Sequence, residues 1–249
     1  MKSIRIIILL ALAVLFTFTH NATVSASEVD PFPILQEAKE KFDQLNDYTA
    51  YFIKQQKIGD KIHDREMMFM KFKKPFCIYY KWEIGEKGKE VIFVEGKNNN
   101  KLIGHPGGAI GLFPVSKWLS PNDPLAMKGN KHPITRSGIG NMLGSLIEVF
   151  ELARANNDLQ TYYMGVEALD GRPTHVVVRR LPKKDIYPSY LTFIYFDLET
   201  KLPIRVVSFD WDYKLIDFYY YKDLKVNQSL TDNDFNPGNS EYRFGLLKF

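Results

Sequence analysis

The sequence has little cysteine, no second long apolar run and no standard catalytic motif. Cys77 is the only cysteine in 249 residues, so an internal disulfide is excluded and the fold depends on its core. After Ser27 no apolar run reaches membrane-spanning length, so we expect no transmembrane anchor in the mature chain. HExxH, Walker and GxSxG motifs are missing. We therefore expect neither an enzyme nor a bound metal or cofactor.

The charge balance argues against nucleic acid as a partner. The chain has 33 Lys and Arg against 29 Asp and Glu, and without Lys2 and Arg5 the net charge is about +2. Basic residues are scattered among acidic ones, whereas nucleic-acid binders have a basic stripe or cluster.

The first residues carry the pattern of an export signal. Lys2 and Arg5 precede an apolar run from Ile6 to Phe16, and Val24-Ser25-Ala26 supplies small residues before Ser27. This pattern predicts a signal peptide over residues 1–26, cleaved on export. Because no cysteine follows the apolar run, we expect a soluble protein in the periplasm or otherwise outside the cytoplasm, without an acyl anchor.

Hydrophobic periodicity predicts a strand-rich chain with two main helices in one domain, residues 27–249. Spacing of three and four residues predicts helices over 34–45 and 138–156. Residues 105–137 contain many Pro and Gly and form a long loop, and 227–249 form an irregular strap. Alternating segments predict about ten strands: 48–56, 65–73, 76–84, 90–95, 101–104, 160–168, 173–180, 190–198, 203–211 and 215–226.

Several predicted strands are apolar on both faces, as in 67–70, 91–94 and 218–221. An economical arrangement is an α+β fold in which a strongly curved antiparallel sheet, an incomplete β-barrel, takes helices on its concave side. Such a sheet can leave a cavity for an elongated apolar ligand. The alternative is that the same side chains fill the core. The candidate lining residues lie on the apolar faces: Tyr80, Trp82, Phe93, Leu143, Ile147, Phe150, Phe209 and Trp211.

Two residue pairs offer an enzymatic alternative. Asp210 and Asp212 resemble a carboxylate pair, although solvated turn residues explain them more simply. His105 and His132 bracket the long loop and could meet in space, but further metal ligands are not marked. Cys77 has no neighbouring histidine and is interpreted as a buried strand residue.

The order of short motifs resembles the LolA/LolB-like lipoprotein carriers and, more closely, the DUF1571 group of exported bacterial proteins. Tyr48 to Gln56 is similar to the first strand of these proteins, and Tyr80-Lys81-Trp82 to their "RW" strand. Val91 to Gly96 is similar to the next hairpin. Asp197 to Arg205 resembles the "D..TgLP.r" hairpin, and Tyr221 to Asn227 the closing strand. Lys81 stands where the carriers have Arg.

The resemblance implies an incomplete antiparallel barrel whose apolar cavity shields acyl chains from water. The expected partners are a lipid or acylated protein and a membrane-associated donor or acceptor protein, and we expect a monomer. The alternative, also found on this fold, is a sensor or scaffold that binds a protein partner.

Overall fold

Thirteen β-strands and three α-helices form the described part of the chain, residues 27–113 and 115–244 of the computed structural model. The predicted signal peptide, residues 1–26, lies outside the described residues. The helices are α1 (Phe32–Gln44), α2 (Pro124–Met127) and α3 (Ile139–Ala155). The strands are β1 (Ser27–Glu28), β2 (Asp47–Ile58), β3 (Lys61–Ile62), β4 (Glu66–Lys73), β5 (Cys77–Ile84), β6 (Glu90–Val94), β7 (Leu102–His105), β8 (Lys117–Leu119), β9 (Gln160–Leu169), β10 (Arg172–Arg180), β11 (Leu191–Asp197), β12 (Pro203–Phe209) and β13 (Leu215–Val226).

All of these strands belong to one antiparallel sheet. Its order is β1-β9-β10-β11-β12-β13-β2-β4-β5-β6-β7-β8, and β3 pairs only with β2. The α+β class and the antiparallel sheet are confirmed. The ten predicted strands are present, and β1, β3 and β8 add three strands of two or three residues, too short for alternation to mark. The end strands β1 and β8 do not pair with each other, so the described sheet is not closed.

The helices α1 and α3 pack on each other and on the sheet. Leu35 and Ala38 of α1 meet Leu143 and Phe150 of α3 in a buried cluster that also contains Val177, Ile194, Phe196 and Val206 from the strands. Gly140 allows this close approach, because a Cβ there would lie 2.5 Å from the ring of Phe42. Within residues 27–113 and 115–244, no helix has the length and hydropathy needed to cross a membrane.

Of the irregular strap predicted over 227–249, residues 245–249 lie outside the described residues; the part at 227–244, here called the strap, covers part of the other face of the sheet. Phe235 and Phe244 are buried against Cys77 and Tyr79 of β5, and the rings of Tyr79 and Tyr242 stack with centroids 4.3 Å apart. The strap therefore shields the second apolar face of the strands near β5 from water. Apart from a short 3-10 helix at Asp232–Phe235, it has no regular structure.

The hairpin between β11 and β12 explains the motif that begins at Asp197. The Asp197 carboxylate accepts hydrogen bonds from the backbone N–H and the hydroxyl of Thr200, at 2.9 and 2.7 Å. Arg172 donates to both carboxylate oxygens of Asp197, at 3.0 and 2.7 Å. Burial raises the pKa of Asp197, but the hydrogen bonds from Arg172 and Thr200 outweigh it and hold the pKa below its ordinary value. The motif thus fixes a turn and joins it to β10.

The start of α3 is anchored to β2 by a buried tyrosine. Tyr48 is fully buried, stacks on Phe72 with ring centroids 4.9 Å apart, and accepts a hydrogen bond from the backbone N–H of Ile139 at 2.9 Å. Gly138 precedes this N–H with a φ of +94°, and a Cβ there would lie 3.1 Å from the Tyr48 hydroxyl. This contact satisfies one of the free N–H groups at the start of the helix.

We predict that Tyr48→Phe lowers the free energy of unfolding by about 1–3 kcal/mol, because the Ile139 N–H stays buried without an acceptor. Urea denaturation followed by circular dichroism measures the change. Tyr51→Phe is the matched control, since Tyr51 lies on the same strand and is 36% exposed. Equal stability of Tyr48→Phe and the control would contradict a structural role for this hydrogen bond.

Candidate functional site

A cavity of about 820 Å³ lies between the inward face of the sheet, α3 and the loop that precedes α3. This volume falls within the range of about 300–1,000 Å³ that ligand pockets occupy. Much of its wall is apolar or aromatic: Phe52, Met68, Tyr80, Trp82, Val91, Leu102, Leu119, Ile134, Met142, Leu146, Val149, Val206, Tyr219 and Tyr221.

Strand alternation in β5 and helical spacing in α3 place these side chains on the cavity wall. Alternate residues of a strand point to one face, so Tyr80 and Trp82 of β5 both reach the cavity. On α3 the lining residues Met142, Leu146 and Val149 recur at helical spacing. One face of α3 therefore closes the cavity opposite the sheet.

The long loop supplies the rest of the wall. Leu119, Leu125 and Ile134 line the cavity although the sequence marks this region only as Pro- and Gly-rich. His105 lies at the start of the loop and is buried; its Nε2 donates to the Gly111 carbonyl at 3.0 Å. This hydrogen bond ties the loop back to β7.

The two predicted histidines both contribute to the cavity wall. His105 and His132 line it, and burial together with nearby Lys131 and Arg136 lowers the pKa of His132. In the described ranges, 27–113 and 115–244, no group of three or more His, Cys, Asp or Glu side chains is arranged to hold a metal ion. A catalytic role for the histidine pair stays a prediction.

Asp210 and Asp212 lie in the turn after β12, because that strand ends at Phe209 and not at 211. Asp210 accepts hydrogen bonds from the backbone N–H groups of Asp212 and Lys214, at 3.0 and 2.9 Å. This position agrees with the interpretation of Asp210 and Asp212 as turn residues, and a catalytic role for the pair stays a prediction. Cys77 is buried at the start of β5, and burial raises the pKa of its thiol.

The structure places two of the eight predicted lining residues, Tyr80 and Trp82, on the wall of this cavity. Leu143, Ile147 and Phe150 instead lie on the side of α3 that packs against α1 and the sheet. The apolar stripe of α3 is wide enough to contact both α1 and the cavity. Helical periodicity does not predict which residues of the stripe face α1 and which face the cavity. Ligand binding by the eight residues stays a prediction.

Three more of the predicted residues pack elsewhere in the core. The ring of Phe93 lies 5.9 Å from that of Phe76, and the ring of Phe209 lies 6.2 Å from that of Phe193. Trp211 packs beside Leu181 and Tyr187. Strand alternation predicts which face of the sheet these side chains occupy. It does not predict how far along the sheet they lie from α3, because that distance depends on the tertiary packing.

A row of polar residues crosses the inward face of the sheet, and the sequence analysis did not identify it. Register pairs Arg179 of β10 with Thr192 of β11, Thr192 with Ser208 of β12, and Ser208 with Asp217 of β13. All four line the cavity. The available signal was a charged residue directly after the apolar run Val176-Val177-Val178.

The chain belongs to the DUF1571 family, described as proteins of unknown function, because the family model matches residues 45–244. This confirms the family indicated by the short motifs. No curated protein matches the sequence.

Solved structures with a similar fold have low sequence identity to this chain. The Mycobacterium tuberculosis lipoprotein LppX is 12% identical, with 82% of this chain and 99% of that chain covered and a TM-score of 0.48. A LolA superfamily protein from Nitrosomonas europaea is 11% identical, with 84% and 98% covered and a TM-score of 0.34.

MucB is a third such structure. In the Pseudomonas aeruginosa MucA/MucB complex the matched chain is 13% identical, with 84% of this chain and 62% of that chain covered and a TM-score of 0.44. This chain therefore spans only about three fifths of the length of the chain that it matches in that complex.

We predict that a ligand in the cavity changes the fluorescence of Trp82. All three tryptophans lie in the described ranges, and of these Trp82 alone lines the cavity, whereas Trp118 and Trp211 pack elsewhere. Titration with a fatty acid should shift the emission of the wild type and of Trp211→Phe. The shift should disappear in Trp82→Phe; a shift that survives there would place the ligand outside this cavity.

Proposed function

We propose that this protein is an exported binding protein that holds a lipid, a lipoprotein acyl chain or a similar apolar ligand in the cavity beneath α3. The observation that carries the proposal is the cavity of about 820 Å³ with its largely apolar wall. Each methylene moved from water into such a site contributes about 0.8 kcal/mol, so a long acyl chain is the ligand that gains most.

The wall combines apolar contact with polar groups that suit an amphiphile. The polar row that runs from β10 to β13 lies on the same wall as the apolar side chains. The polar end of a ligand would lie at this row, and the apolar part of the ligand would lie against Phe52, Met68 and Val91. A ligand that is apolar along its length and polar at one end matches both features.

Strong curvature of the sheet, as in an incomplete barrel, is part of this proposal. Residues from β5 and from β12 line the same cavity although β4, β2 and β13 lie between these strands in the sheet. Neighbouring strands are about 4.8 Å apart, so curvature brings the two strands to a common cavity more readily than a flat sheet does. In this arrangement α3 acts as the plug.

The proposed role includes passage of the ligand through an aqueous compartment without covalent chemistry. The export pattern in residues 1–26 indicates such a compartment. A membrane-associated donor or acceptor protein would then load or unload the cavity.

A second candidate function is the binding of a protein partner. Four exposed apolar side chains, here called the lip, lie in or beside the loop: Ile110, Phe113, Val115 and Leu125, from 42% to 65% exposed. Ile110, Val115 and Leu125 also line the cavity, so the lip lies at its rim. Exposed apolar clusters of this kind favour contact with a protein or a membrane.

Partial filling of the cavity tests the first function. Ser145 is exposed and lines the cavity, so we predict that the indole of Ser145→Trp occupies ligand space. Loss of two methylene contacts alone would weaken binding about tenfold. Glu151→Trp is the control, because Glu151 is exposed on the same helix and is not part of the wall.

The measurement is native mass spectrometry of protein purified without detergent, followed by titration with a fluorescent fatty acid. Wild type and Glu151→Trp should carry or take up the ligand, and Ser145→Trp should bind it at least about tenfold more weakly. A wild-type protein that is empty and takes up neither fatty acid nor lipopeptide would refute the proposed function.

The lip distinguishes the second function from the first. We predict that Phe113→Ser, which leaves the cavity wall intact, abolishes pull-down of a protein partner by the ligand-free protein if partner binding is the function. Asp185→Ser, in an exposed turn, is the control. If neither the wild type nor Phe113→Ser captures a protein partner, while Phe113→Ser still takes up the ligand, the second function is contradicted.

A further inference from the structure

Arg179 is a buried cation in the wall of the cavity. It lies on β10 opposite Thr161 of β9 and Thr192 of β11, and its side chain is only 3% exposed. The ring of Phe150 on α3 lies beneath it, with the guanidinium carbon 5.2 Å from the ring centroid. The guanidinium is thus held between the sheet and α3 at one end of the polar row.

Most of the hydrogen-bond donors of Arg179 are unused. Its Nη2 donates to the hydroxyls of Ser189 and Thr192, at 3.2 and 3.1 Å. Nε and Nη1 have no acceptor among the described residues, and no Asp or Glu there pairs with the guanidinium. Burial lowers the pKa of Arg179 to about 10. Buried charges are normally paired, so this arrangement calls for an acceptor that the described residues do not supply.

The charge of the whole wall favours an anion. Among the described residues, seven Lys or Arg side chains and two carboxylates, those of Glu86 and Asp217, line the cavity. Lys54 also pairs with Glu66 outside the wall, at 3.0 Å, so an excess of four positive charges remains. The full chain, with 33 basic and 29 acidic residues, is much closer to balance. Positive charge is therefore concentrated at the cavity.

We propose that Arg179, with the hydroxyls of Ser189 and Thr192, binds the anionic headgroup, carboxylate or phosphate, of an amphiphile whose apolar chain occupies the cavity. The inference rests on the proposed function and specifies the class of ligand. A guanidinium donates two parallel hydrogen bonds to a carboxylate or phosphate, and these are strong where water is excluded.

The neighbouring hydroxyls complete the site. Ser189 and Thr192 lie 2.9 Å apart, and Thr192 and Ser208 3.2 Å apart, so the three hydroxyls form a connected chain beside the guanidinium. Hydroxyl groups that rotate can turn a donor toward an anion when it binds. A neutral headgroup would leave the buried cation without a counter-charge.

Three ten-carbon ligands with different headgroups test the proposal: decanoate, decyl phosphate and decanol, titrated at neutral pH by calorimetry. Wild type should bind at least one of the two anions at least about tenfold more tightly than decanol. The anion with the higher affinity identifies the headgroup as carboxylate or phosphate. Arg179→Met should bind the preferred anion at least about tenfold more weakly than the wild type and keep its affinity for decanol, because only the charged contact is lost.

The matched control is Arg180→Met. Arg180 is the next residue, is exposed, and donates to Gln160 outside the cavity. It should retain the preference for the anion. Arg179→Met should also keep its circular dichroism spectrum and its decanol affinity, which separates loss of the site from unfolding.

The outcomes distinguish the inference from the proposed function. Equal binding of anions and decanol by the wild type, or an affinity of Arg179→Met for the anion equal to that of the wild type, would overturn the inference alone. Failure of all three ligands to bind the wild type would overturn the proposed function and the inference together.

Discussion

The difference in width between one helix and one large sheet is the constraint on which the rest of the structure depends. A helix with its side chains is about 10–12 Å wide, whereas neighbouring strands are spaced about 4.8 Å apart. The sheet has twelve strands in its main order, and α3 is the one long helix in the described ranges that lies across the cavity. A single helix cannot cover that face, so the long loop completes the cover and a cavity is left beneath it.

The apolar side chains on the two faces of the sheet are covered by different parts of the chain. On the outer face near β5, Phe235 and Phe244 of the strap are buried against Tyr79. On the inner face, α3 is fixed at its start by Tyr48 and by its packing on α1, and it cannot settle closer to β5. The cavity of about 820 Å³ on the inner face supports the proposal that a ligand binds on this side of the sheet. In the proposed function, the positive wall and Arg179 would give that side a preference for anionic ligands.

Much of the fold could be predicted from sequence because its signals are local. Alternation in residues 76–84 and helical spacing in 138–156 depend only on neighbours in the chain, and both elements are present. The site was less predictable. Tyr80 and Trp82 face the cavity, but Leu143 and Phe150 face α1, and only the packing of α3 decides between these directions. Arg179 joins Thr192 and Ser208 through strand register, which a single strand does not reveal.

The most direct test of the central claim is a crystal structure of the protein with a fatty acid that carries bromine at the end of its chain. The anomalous signal of bromine locates the apolar end independently of the protein density. The account predicts one bromine peak inside the cavity, against Tyr80, Trp82 or Val91. A cavity filled by the protein's own side chains, with bromine bound only outside it, would contradict the account.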